Sequence, residues 1–201
     1  SAKGFFIVAR SQGDPARLAA HNPFHAASTS VHEAFPGHDL QYAYWQQVAR
    51  NISPVRHLRG DPRNWGDSMN AEGYAHYTEE LMRAHGFFTP EEELFNLSAQ
   101  AWRAARIVVD IGLHAGGMSL KAATAFLARE AHLPPKVAAG EAFRYSKWPT
   151  QAVTYGLGKR GIERLKARRR AGQGPRFSEA GFHSWLLSFG PLPPDAIAQT
   201  L

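Results

Sequence analysis

Cysteine is absent from the 201 residues. That excludes disulfides and every thiolate metal site, so a bound metal would have to be held by histidine and carboxylate. No run of about eighteen apolar residues occurs, so no membrane insertion through a spanning helix is expected. The apolar stretch Gly4–Ala9 is too short for the core of a secretion signal. The reading is a soluble protein, cytoplasmic or exported with its signal outside this chain. Repeats and low-complexity linkers are also missing. With 44% hydrophobic and 20% charged residues, the composition fits one globular lobe over residues 1–201.

Negative charge is in deficit: the net charge is +6. Much of the excess is local, because Lys159, Arg160, Arg164, Lys166 and Arg168 to Arg170 place seven cations within twelve residues. A basic cluster can mark a nucleic-acid surface. No interleaved aromatic platform or recognition motif accompanies this one, so it reads as the solvated end of a helix, where cations suit the macrodipole. No nucleic-acid partner is expected.

The periodicity predicts a mainly α fold with one or a few short strands near the N-terminus. Residues 5 to 9 (Phe-Phe-Ile-Val-Ala) are the best strand, and Phe6 and Ile7 could hold substrate backbone along its edge. A helix is expected from Ser28–Ser30 to about Val48, with residues 51–64 as a loop. Further helices are expected at about 68–84, from Thr89-Pro90 to about Leu113, at 119–130, from Pro134-Pro135 to Tyr145, from about Pro149 to Arg170, and at 178–188.

Chemistry concentrates in Val31-His32-Glu33-Ala34-Phe35-Pro36-Gly37-His38. Two imidazoles and a carboxylate that can take a proton from metal-activated water are most of what a zinc hydrolase needs. The usual spacing is H-E-x-x-H, which sets both histidines on one helical face. Here they stand six apart, roughly 120° out of phase on a straight helix, and Pro36 would clash with the His32 carbonyl. A break at Phe35 to Gly37 is therefore expected, absorbing two extra residues and returning His38 to the metal. Glu72, His76, Glu79 and Glu80 on the following helix offer a third ligand. Glu72 is the choice, with Gly73 beside it permitting close helix approach. His76 or Glu79 would orient a ligand from behind, and Glu80 would face solvent.

Together with Ala71-Glu72-Gly73-Tyr74-Ala75, residues Arg106 to His114 and Arg144 to Ala152, the motif resembles the bacterial "domain of unknown function 885" family. Its usual form is H-E-A-x-P-G-H followed by E-G-W-A. Tyr74 stands here for the tryptophan, and Thr150 stands where glycine is common. The resemblance implies a gluzincin-like helical metallopeptidase fold. It also implies that this chain is the C-terminal, motif-bearing portion of a longer architecture, with an N-terminal lobe or second chain completing the cleft.

The function expected is a zinc-dependent peptidase acting on small peptides. One Zn2+, or another divalent metal, is held by His32, His38 and Glu72. Glu33 is the general base. His114, Tyr155 and Tyr145 are candidate donors to the oxyanion. Arg106 could hold a substrate carboxylate, and Gln151 is a further substrate-binding candidate. Competing readings make Tyr145 and Tyr155 packing aromatics, and Arg106-Asp110 and Asp110-His114 ordinary same-face pairs. The alternatives for the whole protein are a non-catalytic metal-binding interaction module and a metal-dependent hydrolase of a non-peptide amide or ester.

Overall fold

The computed structural model describes residues 23–48 and 67–201, and among these every regular element is a helix. The strand expected at residues 5–9, Phe6 and Ile7 within it, and the loop at 51–64 lie outside the described residues.

Two short helices carry the motif: α1 (Pro23–Glu33) and α2 (His38–Gln47). Helix α1 starts earlier than expected because Pro23 takes the first helical position, where its missing N–H costs nothing. Next come α3 (Ser68–Ala84), α4 (Pro90–Ala115), α5 (Leu120–Glu130) and α6 (Pro135–Lys147). A 3-10 turn at Gln151–Val153 leads into α7 (Thr154–Gln173). The chain closes with α8 (Glu179–Ser188) and the short α9 (Pro194–Ile197), which the sequence reading lacked.

The starts are set by local chemistry. Asp67 accepts from the Met69 and Asn70 amides to cap α3. Thr89 and Glu92 form a reciprocal capping box on α4. Ser119 and Ser178 cap α5 and α8. The 3-10 turn delays α7 relative to the expected start: Thr150, in its left-handed conformation (φ 71°), donates its N–H to Asp110 Oδ1 at 3.1 Å. That conformation explains why glycine suits position 150.

Two cores hold the helices. One joins α4, α5 and α6 through Val109, Leu127 and Tyr145; the other joins α3, α7 and α8 through Tyr74, Ile162, Phe182 and Leu186. The expected pair Arg106-Asp110 does not form among the described residues, because Asp110 turns to Thr150 instead. The basic stretch of α7 is engaged rather than free: Lys166 pairs with Glu179, while Arg169 and Arg170 lie over the Trp185 and Phe177 rings.

The most extensive contact is α3 against α7, and glycine permits it. A Cβ on Gly158 would lie 1.9 Å from the Met69 carbonyl oxygen and 2.7 Å from the Gly73 Cα. Both obstacles are backbone, so relief requires the helices to part. Gly158→Ala should cost about 3 kcal/mol in urea unfolding, at the upper end of overpacking effects. Gly172→Ala, in the same helix but with nothing within 4 Å of the added Cβ, should be neutral or slightly stabilising. Equal effects at the two sites would show that the helix approach is not tight.

Candidate metal centre

Helix α1 ends at Glu33 and α2 begins at His38, so the break expected at Phe35 to Gly37 is present, with a cis peptide at Phe35-Pro36. The amide of Asp39 reaches back to the Ala34 carbonyl at 3.2 Å, five residues away, instead of continuing the regular ladder. Gly37 folds over the end of α1. A Cβ there would stand 1.9 Å from the His32 carbonyl oxygen and 2.4 Å from that of Val31. Only glycine permits this crossing, and the crossing turns His38 back toward His32.

The two imidazoles meet edge to face, with ring centroids 4.9 Å apart. Glu72, from α3, completes the group: its Oε2 lies 3.5 Å from His32 Nε2 and 3.5 Å from His38 Nε2. One ligand atom from each of the three lies within 4.8 Å of the others, and among the described residues this is the metal-competent cluster. The spacing fits an ion. Two ligands about 2.0–2.1 Å from a tetrahedral zinc stand about 3.4 Å apart. The donor set, two imidazoles and one carboxylate, is also that of catalytic zinc sites, which leave a fourth position open.

A carboxylate behind the cluster orients it. His32 Nδ1 donates to Glu79 Oε1 at 2.6 Å; in the neutral imidazole that a metal requires, this keeps the proton on Nδ1 and leaves the Nε2 lone pair free to coordinate, while the protonated ring of the metal-free protein can also donate from Nε2 to Glu72. Glu79 is fully buried. It also accepts from Arg103 Nη2 at 2.9 Å and from Asn96 Nδ2 at 3.3 Å, both on α4. Burial disfavours its charge, but Arg103 and the histidine bonds outweigh burial and hold its pKa well below the ordinary range. Glu72 is likewise held low: burial opposes its charge, and the bonds from His32 and His38 overcome it. For His32, burial lowers the pKa, yet the bonds to Glu72 and Glu79 raise it on balance.

His76 lies behind the cluster, its Nδ1 3.6 Å from Glu79 Oε2, and burial brings its pKa down to about 4. It is a neutral neighbour, not a member of the triad. Glu80 is not a freely solvated acid as expected: it accepts from Arg83 at 2.6 Å and from Gln100 at 3.0 Å, and its pKa falls to about 2.

Two tyrosines flank Glu72. The Tyr155 ring lies parallel to His32 at 6.1 Å, and its hydroxyl accepts from Gln151 Nε2 at 3.2 Å. Burial, then the Glu72 charge, raises its pKa. Tyr42 stacks on His38 at 5.5 Å, and burial followed by the charges of Glu72 and Glu33 pushes it up to about 12. Both phenols are therefore protonated donors at neutral pH. Glu33 is exposed, and its carboxylate is near enough to act on Tyr42.

The other candidates lie elsewhere. Tyr145 is buried in the α4–α6 core, its hydroxyl accepting from Trp102 at 3.0 Å, so the packing reading holds for it. His114 sits exposed near the end of α4 and meets the Tyr145 carbonyl oxygen at 3.1 Å; it is not gathered at the cluster and makes no pair with Asp110 among the described residues. Arg106 is buried, with its guanidinium 3.4 Å from the Tyr155 ring centroid. Its Nε and Nη2 are buried and have no hydrogen-bond partner among the described residues. Gln151 serves Tyr155 and faces Arg144 rather than open solvent. Sequence reasoning missed Tyr42, Asn96 and Arg103. The last two are seven apart on α4, the spacing of one helical face, which was the available signal.

Comparisons add context. A family model described as a bacterial protein of unknown function, DUF885, matches residues 1–201. Among solved structures, a candidate lipoprotein of unknown function from Shewanella oneidensis is similar at 26% identity and a TM-score of 0.83, over 96% of this chain and 34% of that one. A candidate lipoprotein from Colwellia psychrerythraea is similar at 29% identity and a TM-score of 0.79, over 88% of this chain and 29% of that one. The chain thus spans about a third of the length of these structures. No curated protein matches the sequence.

Proposed function

The chain belongs to the bacterial DUF885 family, and from that premise we propose that it is a zinc-dependent hydrolase, a gluzincin-like metallopeptidase cleaving small peptides. The observation that supports this most directly is the convergence of His32 Nε2, His38 Nε2 and Glu72 Oε2 at 3.5 Å spacings, with Glu79 setting the His32 tautomer. When bound, a divalent ion supplies Lewis acidity, lowering the pKa of a ligated water and polarising a carbonyl. His32, His38 and Glu72 hold it. Glu33, adjacent to His32 and open to solvent, takes the proton from the attacking water and passes it to the leaving amine. Tyr155 and Tyr42, both kept protonated, donate toward the developing oxyanion. Arg106 and Gln151 fix the Tyr155 ring and hydroxyl. The candidate-lipoprotein relatives fit an exported protein, and their greater length fits a cleft completed by a further lobe.

A purely structural metal module would not need Glu33 beside the ligand set, which disfavours the non-catalytic alternative. Metal analysis tests the site. After chelation and dialysis at neutral pH, the protein should take up one Zn2+ per chain, Glu72→Ala should lose it, and His76→Ala should keep it. Failure of the unaltered protein to bind zinc, or unchanged binding by Glu72→Ala, sinks the proposal.

A further inference from the structure

Helix α4 has three faces. One packs on α5 and α6 through Ala105 and Val109. A second carries Asn96 and Arg103 to Glu79. The third is apolar and open: Leu94 is 67% exposed, Leu97 46%, Val108 48% and Ile111 55%, with Ala101 and Ala104 exposed between them. These six positions repeat at alternating intervals of three and four residues, the spacing of a seam that packs against another helix. At about 100° per residue they form a stripe about 100° wide, beside the face that carries Arg103.

The seam is self-complementary. Its residues run large, large, small, small, large, large, and its midpoint lies between Arg103 and Trp102, which is also the midpoint of Pro90–Ala115. A two-fold axis there sets two α4 helices antiparallel. Leu94 then meets the other copy's Ile111, Leu97 meets its Val108, and the small Ala101 and Ala104 meet at the centre, where the backbones approach most closely. A seam built for an unrelated segment has no reason to be symmetric about its own helix; an isologous contact requires it. The stripe offers on the order of 500 Å² per copy, about 1,000 Å² for two copies, which is the size of a weak, concentration-dependent interface.

We infer that the α4 stripe is a dimerisation surface that pairs two copies of this chain through an antiparallel helix seam. The inference stands apart from the proposed chemistry, since none of the six residues is a ligand or donor. Light scattering over a dilution series should give a mass of twice 22.2 kDa at high concentration. Leu97→Glu with Val108→Glu should weaken the dimer at least about a hundredfold by burying unpaired charge, with helical circular dichroism unchanged. The chain has no cysteine, so register can be read directly. Mixed Ala101→Cys and Ala104→Cys chains should oxidise to the hetero-linked dimer in preference to either homodimer. A monomer at every concentration would leave the stripe to another segment, such as one from the longer family architecture, and would overturn the inference. So would a dimer that survives the two glutamates, or one that links homotypically.

Discussion

Glu33→Gln should lower the turnover of the zinc-loaded protein on a peptide mixture by about a thousandfold, within the 10² to 10⁴ range of a general base. The substitution keeps the volume and removes the ability to take a proton. Glu33 is exposed at the last position of α1 and is not among the three converging ligands. Zinc stoichiometry, helical content and KM should therefore stay near their starting values while kcat falls. That combination separates a base from a ligand, whose loss would remove the metal as well. Activity within tenfold of the unaltered protein would exclude Glu33 as the proposed base. Loss of zinc would move it into the ligand set.

Glu79→Ala should have the largest effect on stability. The carboxylate is fully buried and receives Arg103, His32 and Asn96. Its removal strands the Arg103 guanidinium and the His32 N–H where little water reaches. Breaking such a buried pair costs about 3–5 kcal/mol, which urea unfolding would read, and zinc affinity should drop by about 10 to 100-fold as His32 loses its orientation. Glu79→Gln, which keeps an acceptor, should cost less. A loss below about 1 kcal/mol for Glu79→Ala would show that the network contributes little.

The same network gives the metal-free protein a pH profile. Glu79 has a folded pKa below its unfolded value, so its contribution is complete above the ordinary carboxylate range and is lost as pH falls through and below it. His76, with a folded pKa of about 4 against 6.5 unfolded, binds its proton first in the unfolded state, so stability already declines between about pH 6.5 and 4. His32, whose folded pKa is raised, works against this trend and softens it. Acid unfolding should therefore begin in the histidine range and steepen in the carboxylate range.

Helix positions were legible in the sequence wherever an end had local chemistry: Asp67 before α3, Thr89-Pro90 before α4, Ser119 and Ser178 before α5 and α8. The break in the motif was legible for the same reason, since Pro36 and Gly37 act on their own neighbourhood. What sequence could not give was partnership across elements. Asp110 looked like the partner of Arg106 because four residues separate them, but the turn at Thr150 claims it. Tyr42 belongs to no motif; its i,i+4 spacing on α2 stacks it on His38, and it matters only because the break brings His38 to the cluster. Arg103 and Asn96 share a helical face by their seven-residue spacing, but that Glu79 is what the face meets became readable only when α4 was known to pass behind α1 and α3.

The crossing of Gly37 over the carbonyls of Val31 and His32 also fixes a ruler. The connection between the histidines, Glu33 to Gly37, is five residues long, and its last residue is seated against the helix it leaves. A single-residue insertion would either unseat Gly37 or rotate His38 by about 100° around α2. Length variation should therefore be excluded between these two histidines while being tolerated in the turns around them. A pattern search that treats the interval as elastic would gather proteins that share the letters of this motif without its coordination.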